Sequence, residues 1–167
     1  TFKLVPSVTE DSSAFGSSVA ISGNFGIVGA FLENASGTDR GAVYVFDLTT
    51  GTERFRLTAA DGTNGDAFGV SVALSGNLAV VGAALQNGQR GAAYVFDLAT
   101  GSQIHKFAPS ELAAPDAFGL SVAVAGSTAV ISAPRTAEGG SFRGSVYVFD
   151  LATEHFVYIS PQSEQVI

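Results

Sequence analysis

Asp61, Asn64 and Asp66 are the residues whose types and spacing come nearest to metal chemistry in this chain. The stretch Asp61-Gly62-Thr63-Asn64-Gly65-Asp66 interleaves oxygen-bearing side chains with glycine, a pattern that suits calcium. It lacks a closing bidentate Glu, and Asp116 repeats the Asp66 position without the rest, so turn chemistry is the default reading. Nucleophilic and acid–base chemistry find less. There is no Cys, which removes cysteine nucleophiles and thiolate zinc sites. The two histidines, His105 and His155, fall in or beside equivalent segments, as repeat residues rather than a dyad. No Ser sits in a Gly-x-Ser-x-Gly turn, no His-Glu-x-x-His occurs, and no glycine-rich stretch leads into a helix that could cradle phosphate. No catalytic residue is assigned, and calcium is the one cofactor suggested.

What would position any such residue is a unit written three times. Ala14-Phe15-Gly16 returns as Ala67-Phe68-Gly69 and Ala117-Phe118-Gly119. Tyr44-Val45-Phe46-Asp47 returns as Tyr94-Val95-Phe96-Asp97 and Tyr147-Val148-Phe149-Asp150. The first motif recurs after 53 and then 50 residues, the second after 50 and then 53. A long, regular period of short apolar runs marks one supersecondary unit stacked on copies of itself.

Each repeat divides into four segments with strand alternation. The first segments, Ser17–Ser22, Val70–Ser75 and Leu120–Ala125, end at Gly23, Gly76 and Gly126, a tight-hairpin signal. The second, Phe25–Ala30, Leu78–Ala83 and Thr128–Ala133, are apolar throughout, as expected of strands buried on both faces. The third are Ala42–Leu48, Ala92–Leu98 and Ser145–Leu151; the fourth are Glu53–Thr58, Gln103–Ala108 and Phe156–Ser160. Helical periodicity is absent. The reading is all-β: one β-propeller domain over 1–167, with three blades of four antiparallel strands at approximately 8–58, 59–108 and 109–161. Phe2–Ser7 aligns with His105–Ser110, which holds a fourth strand, so residues 1–7 are expected to form an extra N-terminal outer strand. Gly29-Ala30, Gly82-Ala83 and Ser132-Ala133 let blades converge, and Phe15, Phe68 and Phe118 fill the gaps between them.

Ala-Phe-Gly, followed after a strand pair by Val28-Gly29-Ala30, Val81-Gly82-Ala83 or Ser132-Ala133-Pro134, resembles the FG-GAP repeat. Such repeats build the propeller of integrin α-subunit heads and many bacterial surface proteins. The resemblance covers almost the whole chain and implies a propeller, extracellular placement and a binding role, not a reaction. Calcium-carrying members place an Asp-rich loop between the first two strands of a blade. Here those hairpins read Ser22-Gly23-Asn24, Ser75-Gly76-Asn77 and Ala125-Gly126-Ser127, so that site does not carry over.

Composition narrows the partners. Hydrophobic residues make up 46% and charged residues 14%, which excludes disorder. A formal charge of −7, with eight scattered basic residues, argues against nucleic acid. No apolar run reaches the roughly 18–20 residues of a membrane helix. Thr1 stands where a start Met is absent, so a removed signal peptide and a secreted or surface location are expected. Three blades do not close a ring, since propellers need at least about four. Either other copies complete the ring, most simply a dimer with six blades, or the chain is part of a longer propeller adhesin. A self-assembling surface subunit is the alternative function to a non-enzymatic module binding protein or glycan.

Recurrence separates framework from site. Arg40, Arg90 and Arg143 each precede a glycine, and Asp47, Asp97 and Asp150 close each Tyr-Val-Phe-Asp, so all six read as structural. The loops Leu32–Arg40, Leu85–Arg90 and Arg135–Arg143 vary instead. Loops on a rigid scaffold are where binding residues gather, which nominates Glu33, Asn34, Asp39, Gln86, Asn87, Gln89, Glu138 and Phe142.

Overall fold

Each repeat folds as its alternation dictates, into a meander of four antiparallel strands. The computed structural model describes residues 3–8, 11–138, 141–153 and 156–159. The first blade comprises β1 (Ser18–Ser22), β2 (Phe25–Ala30), β3 (Ala42–Asp47) and β4 (Thr52–Leu57), paired in that order. The second comprises β5 (Ser71–Ser75), β6 (Leu78–Ala83), β7 (Ala92–Asp97) and β8 (Ser102–Phe107), with a tight turn at Gln86–Gln89, where Asn87 and Gly88 take left-handed backbone angles, between its middle strands. The third comprises β9 (Val122–Ala125), β10 (Thr128–Ala133), β13 (Ser145–Asp150) and β14 (Phe156–Ile159), with a small hairpin β11 (Ala137–Glu138) and β12 (Ser141–Phe142) inserted.

The turns follow from local chemistry. Gly23, Gly76 and Gly126 adopt φ of +55°, +56° and +58° at the first hairpin, a left-handed conformation that costs glycine nothing. After the third strand the Asp carboxylate folds back on the chain. Thr49 N, Ala99 N and Ala152 N each donate to the Oδ1 of Asp47, Asp97 or Asp150 at 2.9 Å. The Thr49 hydroxyl, with the Thr49 N–H, holds the Asp47 carboxyl below the usual range, and the Ala152 N–H does the same for Asp150.

The blades stack face to face. Ile27, Val43 and Val45 of the first meet Phe68, Tyr94 and Phe96 of the second. Val80, Ala93 and Val95 on the second blade's other face meet Phe118, Tyr147 and Phe149 of the third. Each Phe-Gly phenylalanine stands edge-on to the Tyr and Phe of its own blade: Phe68 lies 5.5 Å from Tyr94 and 5.8 Å from Phe96 between ring centroids. Gly29 and Gly82 lie where the next blade's backbone passes, and a Cβ at either would strike the carbonyl oxygen of Gly69 or Gly119.

Two expectations need correction. β10 is not buried on both faces as β2 and β6 are; it alternates, because no blade covers its outer side. The extra N-terminal strand is also not formed: among the described residues, Lys3–Pro6 pair with no strand, there being no third strand beside them to supply a ladder. The segment still packs. Leu4 and Val8 lie against the cluster of Tyr44 and Phe46, and Ser7 N donates to the Glu53 carboxylate on β4 at 2.7 Å. The second strip of fourth-strand residues repeats this contact, Ala60 N donating to Gln103 Oε1 at 3.0 Å. No helix among the described residues is long and apolar enough to cross a membrane.

Candidate functional site

The variable loops joining the second and third strands start at equivalent positions, so all three leave the same end of their blades. The first buried residue of each is polar: Glu33, Gln86 or Thr136, exposed to 1%, 2% and 9%. Each lies near the ring-bearing third strand. Thr136 shares a 2.7 Å hydrogen bond with Ser145. Gln86 Nε2 donates to the Tyr94 hydroxyl, which in turn donates to Asp61 Oδ1 at 2.9 Å. Glu33 accepts from Arg56 Nη2 at 2.5 Å and from Ala35 N at 2.6 Å. Two of the expected ligand contacts are thereby corrected: Glu33, held by Arg56 and Ala35, and Gln86, whose Nε2 reaches Tyr94, are buried and anchor their loops from within.

The calcium expectation fares no better in the same corner. Asp66 accepts from Thr63 N at 2.6 Å and Thr63 Oγ1 at 2.8 Å, closing the loop back on the residue three before it. Asp61 is tied instead to Tyr94 and to Lys106 Nζ at 2.5 Å, while Asn64 turns its Oδ1 toward Gly37. The three side chains serve separate contacts and do not converge. No group of three metal-ligating side chains occurs among the described residues. Burial raises the Asp61 pKa, but hydrogen bonds from Lys106 and Tyr94 outweigh it, and the net value lies below the ordinary 3.8. Stability from this carboxylate is therefore present above 3.8 and lost as pH falls through the lower native value. Asp61→Asn is expected to flatten that acid limb, measured by urea denaturation between pH 5 and 2.5; an unchanged limb would show that Asp61 plays no part in it. Burial, then the Asp61 bond, push the Tyr94 hydroxyl far up, so it stays neutral.

Backbone bonds tie the first two loops to the next blade. Ala67 N donates to Asp39 O at 3.1 Å and Phe68 N to Arg40 O at 2.9 Å. One blade on, Ala117 N donates to Gln89 O at 2.8 Å and Phe118 N to Arg90 O at 2.9 Å. To present those N–H groups, Ala14, Ala67 and Ala117 take φ of +55°, +56° and +56°, a left-handed conformation unfavourable for Ala. Of the arginines, Arg40 Nη1 donates to Ser36 O at 2.6 Å, while Arg90 and Arg143 are exposed.

What faces solvent on this rim is a short list. Asn34, Asn87 and Gln89 are exposed, with Asn34 Oδ1 accepting from Asp39 N at 2.7 Å and Gln89 Oε1 accepting from Arg135. Phe142 on β12 is 69% exposed, and Leu85 is 42% exposed. Glu138 lies on β11. Sequence reasoning missed Arg56 and Lys106, the cations beneath the rim. Their signal is their matched place on two fourth strands, opposite Tyr44 and Tyr94.

A family model for the FG-GAP repeat matches residues 1–46, 52–96 and 102–149. The chain belongs to the FG-GAP repeat family. The three matched FG-GAP spans are offset from the blades by one strand, 52–96 running from β4 into β7 and 102–149 from β8 into β13, and the chain is a β-propeller module. Similar solved structures agree on the fold. Hydrazine synthase of Kuenenia stuttgartiensis superposes with a TM-score of 0.60 at 13% identity, over 96% of this chain and 40% of that one. The computationally designed Ika8 protein superposes with a TM-score of 0.58 at 20% identity, over 86% and 35%. At such identities the likeness shows the fold alone, and this FG-GAP chain spans less than half the length of either. No curated protein matches it.

Proposed function

We propose that the chain is a non-enzymatic, extracellular binding module whose loop rim takes a protein or glycan partner, and which joins other copies to complete a ring. The observation that carries this is the rim itself. Its first two loops are pinned to the next blade by backbone hydrogen bonds, the third is closed on itself by Arg143 N donating to Thr136 O, and that third loop presents Phe142 at 69% exposure. A pre-ordered surface binds with little ordering cost, and an exposed aromatic offers the kind of anchor that dominates interfaces. The cysteine-free, sparsely charged composition suits an exterior location. The net charge of −7 favours neutral or cationic partners.

The test is a screen of the immobilised chain against glycans and surface-protein ectodomains. Phe142→Ala is expected to weaken a hit by about thirtyfold, in keeping with the ~2 kcal/mol of a hot spot. Asn87→Ala and Gln89→Ala should each weaken it less. A hit that survives all three unchanged binds elsewhere, and the rim reading is then wrong.

A further inference from the structure

The two internal joints show what each blade face receives. Val130 and Val146 on the third blade stand where Val80 and Ala93 are fully buried in the second joint, yet they are 37% and 44% exposed. At the other end, Val19 and Ile21 correspond to Val72 and Leu74, which pack into the first joint, and they are 68% and 70% exposed. The open faces are thus the two unlike halves of one joint. The backbone carbonyl of Phe142 belongs to the first half, since it holds the place of the Asp39 and Gln89 carbonyls, which accept from the next blade's Ala.

The polar halves are unmatched in the same way. Ser18 Oγ donates to Gly69 O at 2.8 Å, and Ser71 Oγ to Gly119 O at 2.7 Å. Among the described residues their counterparts, Ser121 Oγ and Gly16 O, have no such bond, nor do Arg143 O and Phe15 N, which correspond to the Arg90 O and Phe118 N pair. We propose that the third-blade face of one copy docks on the first-blade face of a second copy in the register of these joints. Two such contacts close the ring. Propellers close at about four to eight blades, and six is the one multiple of three in that range. The proposal rests on the propeller reading and names a second copy as the first partner.

This joint is weaker than the internal ones. Ser132 stands where Gly29 and Gly82 admit the next blade's carbonyl, so the incoming Gly16 segment must stand off by about 1 Å there. Ala125 replaces Ser22 and Ser75, whose hydroxyls accept from Gly76 N and Gly126 N at 2.9 Å each, so Gly23 N loses that partner. Leu4 already covers the outer corner of the first blade, where Leu57 and Phe107 serve the next two. Docking in this register brings residues 3–7 of one copy to the edge of β13 that β14 already holds in the other, so β14 must yield that place on closure. Closure is reversible, set by concentration.

Sedimentation equilibrium of the full chain tests this without any ligand or rim substitution (Phe142 is left intact). The expected species at about 100 µM is two chains of 17.0 kDa each. Ile21→Asp and Val146→Asp, both at exposed positions, are each expected to give folded monomers, checked by circular dichroism. Mixing the two restores a two-chain species, because one intact joint remains between them. Ser132→Gly and Ala125→Ser are expected to tighten the dimer, the latter by about two- to fivefold, the worth of one exposed hydrogen bond. A parent that stays monomeric, a polymer that grows without limit, a mixture that fails to associate, or a Ser132→Gly variant no tighter than the parent would each overturn it.

Discussion

Phe68→Ala is expected to destabilise the chain by about 3–5 kcal/mol, the range for truncating a fully buried phenylalanine. Phe68 is 1% exposed and touches both blades of the first joint, so its loss empties a site that neither sheet can collapse into. For a domain of this length the melting temperature falls by about 10 °C. Phe15→Ala, in the same motif, should cost visibly less. Phe15 keeps its edge-on contacts with Tyr44 at 5.6 Å and Phe46 at 6.1 Å but is only half-buried, having no preceding blade above it. Equal losses for the two, read from chemical denaturation, would mean that the motif stabilises its own blade and contributes nothing between blades.

Arg56→Met carries the second large effect. It leaves the Glu33 carboxylate, exposed to 1%, without its cation. Removing one partner of a buried pair costs about 3–5 kcal/mol, and the lower figure applies here because the Arg56 side chain keeps 23% exposure. Glu33→Gln added to Arg56→Met is expected to recover most of the loss. Gln is what the second repeat already carries at Gln86, and a neutral amide needs no counter-ion. The measurement is a double-mutant cycle; additive losses would show that the pair is not coupled.

The blades were readable from alternation because burial is written in residue type with period two. Tyr44, Tyr94 and Tyr147 recur because each takes the edge of a Phe-Gly ring, and that necessity is visible without coordinates. The reading of Glu33 and Gln86 as ligand contacts failed for an equally physical reason. A polar residue in a variable loop looks solvated until one asks what pairs the Arg56 guanidinium and the Tyr94 hydroxyl beneath it. The N-terminal segment misled through homology of position: Phe2–Ser7 carries fourth-strand residues, but a strand needs a neighbour, and alignment cannot supply one. Phe142 was legible as an aromatic on a loop, whereas its place on the outgoing face of the third blade emerged only from the register of the other two.

Among the described residues, each blade pairs its strands in chain order, β1-β2-β3-β4, β5-β6-β7-β8 and β9-β10-β13-β14, with the β11–β12 hairpin inserted in the last. A ribosome can therefore release finished structure in instalments: once β4 has emerged, the first sheet waits on nothing synthesised later except the cover provided by the second. Such wiring also lets whole units be duplicated or lost without rethreading the rest, as short sequence separation between partners asks of any modular chain.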